Sequence, residues 1–203
     1  MYARRLLPIA PVIALSALLL TVPSFAETSG PKQFIKSLGK ETIGAITDPT
    51  LSEKDRLTEF SRLFKKGFDI ETIGRFVLGR YWRRATTEQK VEYQALFADF
   101  ILTTYANRFR KYSGEQLLVD GERHANKRDT IVSSKIKSPV GRAVRVDWRV
   151  RKTGNDHKII DVIVEGVSMA ITQRDEFASV IRRGGGGVEN LIAELQKKSS
   201  ADD

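Results

Sequence analysis

The sequence predicts an α+β domain: helices first, then an antiparallel sheet, then two short closing helices. Three observations predict it. Between residues 31 and 112 apolar residues recur at intervals of three and four. From 116 to 170 the period switches to two, in short runs rich in β-branched residues. From 172 to 198 the helical period returns. Sequential strands with tight turns between them give a meander, in contrast to the alternating helices and strands of a parallel nucleotide-binding sheet.

The first helix is read in PKQFIKSLGKETIGAIT, with Phe34, Ile35, Leu38, Ile43 and Ile46 at helical spacing. DPTLSEKD breaks it, with Pro49 in a turn. Ser52 opens the second helix with Asp55 as a capping-box-like partner, and Leu57, Phe60, Phe64 and Phe68 follow as one stripe. Asp69 caps a third, short helix carrying Ile70, Ile73, Phe76 and Val77. LGRYWRRATTEQ interrupts the pattern. Thr86 and Gln89 then start the longest helix, which runs to about Tyr112 with Tyr93, Leu96, Phe97, Phe100, Ile101, Thr104, Tyr105 and Phe109 recurring at three and four.

Four strands follow, in QLLVDGE, DTIVSSKIKS, AVRVDWRVRK and HKIIDVIVEG. SPVGR and TGND read as hairpin turns, with Gly141 and Gly154 free to take positive φ. In the third strand Val144, Val146, Trp148 and Val150 face one way, and Arg145, Asp147, Arg149 and Arg151 the other. The segment KIIDVIVEGVSMAI is apolar on both parities. Ile160, Val162 and Val164 fall on one face, and Ile159, Ile163, Val167 and Met169 on the other. A strand with one wet face should alternate, so something apolar has to cover the second face. Two helices, ITQRDEFASVIRR and VENLIAELQKKS, are joined by the glycines of 184–187 as a flexible joint.

The first 26 residues read as a secretory signal. MYARR is basic, LLPIAPVIALSALLLTV is apolar, and Ser24 and Ala26 stand at −3 and −1 of a cut before Glu27. The unbroken apolar run from Val12 to Val22 is about half of the ~20 residues a membrane span needs. Residues 27–203 are then one exported domain: helical over 31–112, sheet over 116–170, helical over 172–198. The net charge of +9 falls to +7 because Arg4 and Arg5 leave with the signal. A basic exported protein meets anionic lipid or an acidic protein sooner than nucleic acid. The chain has no cysteine, so no disulfide staples it and no thiolate chemistry is open to it.

Few residues suggest catalysis. His124 and His157 stand in or beside turns with no neighbouring ligand, so no metal site is expected. RRGGGGVEN lacks the Gly-Lys-Ser/Thr ending of a phosphate loop and follows no strand. Asp161 and Glu165 share one strand parity, but capping or pairing with an arginine explains such a pair as well as catalysis does. No GxSxG turn occurs. The reading is therefore not an enzyme and without cofactor. What remains is an excess of apolar and aromatic residues on more than one face, either a packed core or a cavity for a hydrophobic ligand.

The stretch FVLGRYWRRATTEQKVEYQALFADFILTTYANRFRKYSG (76–114), together with IIDVIVEGVSMAITQRDEF (159–177), resembles the MlaC-type periplasmic phospholipid carriers, also called the toluene-tolerance family. The likeness covers roughly 31–198. It implies a twisted antiparallel sheet of about four strands wrapped by helices and enclosing an apolar lipid cavity. It also implies a monomeric shuttle in the periplasm. Such a shuttle carries phospholipid between an outer-membrane lipoprotein complex and an inner-membrane ABC transporter with an MCE-domain protein. A hopanoid carrier of the same family and a cavity-less exported adaptor are the alternatives. On this resemblance the acyl chains are expected against Phe76, Val77, Tyr81, Trp82, Phe97, Phe100, Ile101, Tyr105, Val146, Trp148, Ile163, Val167 and Met169. Each of Arg80, Arg142 and Arg145 reads first as part of a solvated charged face; one of them at the rim would meet a phosphate, or the arginines of 143–151 would dock an acidic partner.

Overall fold

The computed structural model describes residues 30–109 and 111–201; the segment read above as a secretory signal lies outside them. Helices α1 (Pro31–Thr47), α2 (Glu53–Gly67), α3 (Ile70–Leu78) and α4 (Thr87–Phe109) come first, with a 3-10 turn (Gly79–Arg83) between the last two. Strands β1 (Gln116–His124), β2 (Asp129–Lys137), β3 (Val144–Thr153), β4 (Asp156–Val164) and β5 (Val167–Ser168) follow, and α5 (Met169–Arg183) and α6 (Val188–Ala201) close the chain. The five strands pair antiparallel in sequence order. Among the described residues no helix is long and apolar enough to cross a membrane.

The helix starts follow from local chemistry. Ser52 Oγ accepts from the Asp55 amide at 3.1 Å and donates to the Asp55 carboxylate at 2.6 Å. Asp69 accepts from the amide and hydroxyl of Thr72. Thr86 and Gln89 form a reciprocal capping box, at 3.0 and 3.2 Å. Each such cap contributes about 1 kcal/mol. α4 stops at Phe109, a few residues before Tyr112. The glycines after α5 are an ordered cap and not a flexible joint: the Gly184 amide donates to Val180 O, and Gly186 to Ile181 O at 2.8 Å.

The apolar segment around 160 departs from simple alternation, for two reasons. A bulge opposite Arg149/Val150 leaves Ile160 out of register, so Ile159 pairs with Val150 and shares a face with Val162 and Val164. The strand also ends at Val164. Glu165 at φ 49° and Gly166 at φ 85° turn the chain back, and Val167–Ser168 pairs with Ile163 and Val164 before α5 begins at Met169. Ile163 is opposite Asp147, on the outer face.

Two cores result. One is wholly helical: Val77, Leu78, Tyr81, Tyr93, Phe97, Phe177, Ile181 and Leu191 of α3, the 3-10 turn, α4, α5 and α6. The other joins Ile35, Leu38 and Leu63 of α1 and α2 to Val132, Val150 and Ile159 on the inner face of the sheet. Small residues let these elements close: a Cβ on Gly67 of α2 would sit 2.4 Å from Leu38 Cδ2 of α1, and one on Gly39 of α1 would sit 2.5 Å from Leu117 Cδ2 of β1. Phe68, just after α2, bridges to Ile159, and the Asp69 amide donates to Ile159 O at 3.0 Å.

Candidate functional site

The inner face of the sheet is an apolar surface that protein covers only in part. Residues of even number on β2 and β3 point inward, as the register shows: Val132 opposite Trp148, Ser134 opposite Val146, Ile136 opposite Val144. Leu117 and Val119 extend the face on β1, and Val162 and Val164 on β4. Toward α1 it is sealed, with Val132 and Val150 buried. Away from α1, Ile136, Trp148, Val162 and Val164 are only half-buried and Val144 is exposed. Ser134 orients the tryptophan: its Oγ accepts from Trp148 Nε1 at 2.9 Å and donates to Val146 O at 2.7 Å.

α4 packs chiefly on α2, α3 and α6, with no comparable contact to the sheet among the described residues. An aromatic row fills part of the gap. Phe64 stacks on Phe68 with ring centres 4.2 Å apart and on Tyr105 at 6.0 Å, and Phe60 lies 5.8 Å from Phe64. Beyond this row a cleft of 260 Å³ opens between α2 and α4, lined by Leu57, Phe60, Ser61, Leu102, Thr103, Ala106 and Asn107. That is below the roughly 300–1,000 Å³ of a formed ligand pocket. A wider hollow of 920 Å³ shares Leu57 and Ser61 with the cleft and adds Lys54, Arg62 and Lys65. Its described wall is a single helix, so it is a surface hollow that continues the mouth of the cleft.

The residues expected to contact acyl chains divide between these places. Tyr105, Val146 and Trp148 belong to the inner face and the aromatic row. Val77, Tyr81 and Phe97 are sealed in the helical core instead, where Phe97 stacks on Tyr93 and meets Phe177 edge-on. Trp82, Phe100 and Ile101 pack partly buried against that same core, with Arg75 and Lys90 each 5.7 Å from the Trp82 ring and Lys198 5.0 Å from that of Phe100. The reason is rotational: the stripe that carries Tyr93, Phe97 and Phe100 turns toward α5 and α6. Phe76 and Val167 lie on the outer surface, 42% and 55% exposed. The Arg174 guanidinium lies 5.3 Å from the Phe76 ring and against Gly79, whose positive φ of 57° suits glycine. Ile163 faces outward by register, and Met169, half-buried, opens α5.

The cleft residues Leu57, Leu102 and Ala106 escaped sequence reasoning. Their signal was present, because Leu102 and Ala106 recur at four beside the aromatic stripe. Arg80, Arg142 and Arg145 do not line the cleft. Arg80 donates to Tyr81 Oη at 3.0 Å, which holds the phenol below its ordinary pKa. Arg145 pairs with Asp147 at 2.8 Å on the outer face.

The carboxylates considered for chemistry have structural partners. Asp161 accepts from the Ala170 amide at 3.1 Å and from Ser168 Oγ at 2.6 Å, which fixes the start of α5. Glu165 accepts from the Arg145 amide at 2.7 Å. His124 ends β1 and His157 lies in β4, 5.9 Å from the Phe34 ring. Burial, then the charge of Lys152, lowers the His157 pKa. Among the described residues no cluster of His, Asp or Glu could hold a metal, and no buried side-chain polar atom lacks a partner.

The sequence pattern of the MlaC protein family matches residues 36–197. The chain belongs to the MlaC family. Among curated relatives, the toluene tolerance protein ttg2D of Pseudomonas putida is 25% identical over 70% of this chain and 69% of its own length. The intermembrane phospholipid transport system binding protein MlaC of Haemophilus influenzae is 23% identical over 65% of this chain and 63% of its own length. The crystallised phospholipid-binding protein of Ralstonia solanacearum, solved in complex with a phospholipid, superposes with a TM-score of 0.74. It is 25% identical, and the match covers 86% of this chain and 99% of that one. The MlaC fold thus spans both cores described above.

Proposed function

We propose that the protein is a periplasmic phospholipid carrier that holds acyl chains between α2, α4 and the inner face of the sheet and performs no chemical step. The observation that carries the reading is the half-buried apolar stretch of Ile136, Trp148, Val162 and Val164. These residues face into the molecule, yet they stay half-buried while α4 packs chiefly on other helices. The phospholipid in the Ralstonia relative supports the class of ligand.

The physics asks only for shielding. Each acyl methylene exposed to water costs about 0.8 kcal/mol, so a two-chain lipid of roughly 30 methylenes needs cover worth on the order of 20 kcal/mol. A cleft of 260 Å³ takes part of one chain. Loading therefore requires α2 to move away from α4, opening the aromatic row toward the inner face. The α2–α4 seam suits this, because the apolar residues on its far side are not sealed as those of the helical core are. Lys54 and Lys65, along the hollow beyond Leu57 and Ser61, are placed for a head-group phosphate. Release would need a partner that favours the open form. An inner-membrane ABC transporter with an MCE-domain protein and an outer-membrane lipoprotein complex would be those partners, and residues 1–26 the cleaved export signal.

Lipid mass spectrometry tests the reading on protein exported by a bacterial host and purified without detergent. About one diacyl phospholipid per chain is the expected result. A triterpenoid, in a host that makes one, would move the protein to the hopanoid branch. Protein that carries no lipid and takes none from vesicles would end the carrier reading in favour of an adaptor.

A further inference from the structure

The outer face of the sheet differs in kind from the inner. On β1 to β3 the outward positions include Arg123, Lys135, Lys137, Arg145, Arg149 and Arg151, by register. The helices that pack on the sheet do so on β1, β2 and β4, with α1 on the inner side, and none packs comparably on β3. Lys135 Nζ lies 4.0 Å from the exposed Asp120 carboxylate, and two further carboxylates sit low among these cations. Asp129, 1% exposed, accepts from Arg151 Nε at 2.7 Å and Arg149 Nε at 3.1 Å, and Asp147 accepts from Arg145. Ile131, also buried, lies in register between Arg123 and Arg149, where their aliphatic stems flank it. The acids thus fix the arginines in place, while Arg145 and Lys135 remain 59% and 58% exposed.

We infer that this face docks the protein on an anionic bilayer surface. The cations alternate along extended strands on a common face, so they present a broad array and not a pocket. The only large exposed apolar residue among the outward positions of β1 to β3 is Leu118. A protein partner is held mainly by aromatic or arginine anchors in desolvated pockets. A charged face without such pockets matches diffuse lipid phosphates, to which each lysine or arginine adds attraction. Docking here is separate from the cleft between α2 and α4 and would hold the carrier at a membrane whatever its cargo.

The test is sedimentation with vesicles of phosphatidylcholine alone and of phosphatidylcholine mixed with phosphatidylglycerol. The exported protein is compared with a triple variant, Arg123→Glu, Lys135→Glu and Lys137→Glu, which leaves the buried Asp129 and Asp147 pairs intact. A matching glutamine triple serves if the glutamate variant fails to fold. The expected result is binding to the anionic vesicles only, weakened by salt and reduced roughly tenfold or more in the variant, while copurified lipid stays unchanged. Equal binding by parent and variant overturns the inference, and so does no binding by the parent. Binding to a polyglutamate peptide without binding to anionic vesicles overturns it in favour of an acidic protein partner. Because copurified lipid is read separately, failure here is distinct from failure of the carrier reading.

Discussion

The two apolar regions use similar residues to opposite ends. In the helical core, Tyr93, Phe97, Ile181 and Leu191 are almost wholly buried, and the one polar atom of Tyr93 donates to Gly74 O at 2.9 Å. That burial also pushes the phenol pKa up, so it stays neutral. On the sheet side fewer apolar residues are buried, and Ile136, Trp148, Val162 and Val164 beyond α1 are left half-buried. A finished core resists change, because close packing punishes any lost volume. An unfinished one keeps apolar surface that a ligand can complete. The difference lies in burial: α3, α4, α5 and α6 close on Phe97, whereas the helices that reach the sheet beyond α1 pack on β4 and leave Ile136, Trp148, Val162 and Val164 half-buried.

Removing volume from each region is the strongest way to break this comparison. Phe97→Ala should destabilise the fold by about 3–5 kcal/mol, read by denaturant unfolding. Trp148→Ala, on the half-open face, should cost clearly less stability while reducing bound lipid. Equal losses from both would mean that the sheet side is an ordinary core.

Gly79→Ala tests a turn inside the helical core. Its positive φ and the Arg174 guanidinium, 2.8 Å from an added Cβ, oppose a side chain. The expected loss is about 1–3 kcal/mol, and pairing it with Arg174→Ala should recover the steric part but not the backbone part.

The sheet also carries a pH signature at the acid end. Hydrogen bonds from Arg151 hold Asp129 down from an ordinary carboxylate pKa to about 2. A depressed pKa stabilises the fold above the unfolded value near 3.8, and that contribution is lost as pH falls through 3.8 toward about 2. Unfolding followed from pH 5 downward should show this loss, and Asp129→Asn should flatten it. The smallest change in stability is expected from Ala106→Leu, which adds volume to the mouth of the cleft. It should shift stability by less than about 1 kcal/mol yet slow lipid uptake.

The sequence made some of this plain and hid the rest, for physical reasons. Ser52, Asp69 and Thr86 were legible as caps because a cap is satisfied within three residues. The sheet was legible because the period changes at 116. The faces around Ile160 were not, because a bulge is set by the partner strand, and one extra residue flips every later side chain. The cleft was hidden for a related reason. α4 is apolar on two sides, and only the packed positions of α2 and α6 decide which side becomes core and which becomes mouth.

The most direct measurement locks that mouth. The chain contains no cysteine, so Ser61→Cys and Thr103→Cys, on opposite walls of the cleft, can be joined by a short bifunctional maleimide. Uptake of a fluorescent phospholipid from vesicles is then followed. The account expects the joined protein to lose uptake while the unjoined double variant and both single variants keep it. Undiminished uptake by the joined protein would contradict loading between α2 and α4.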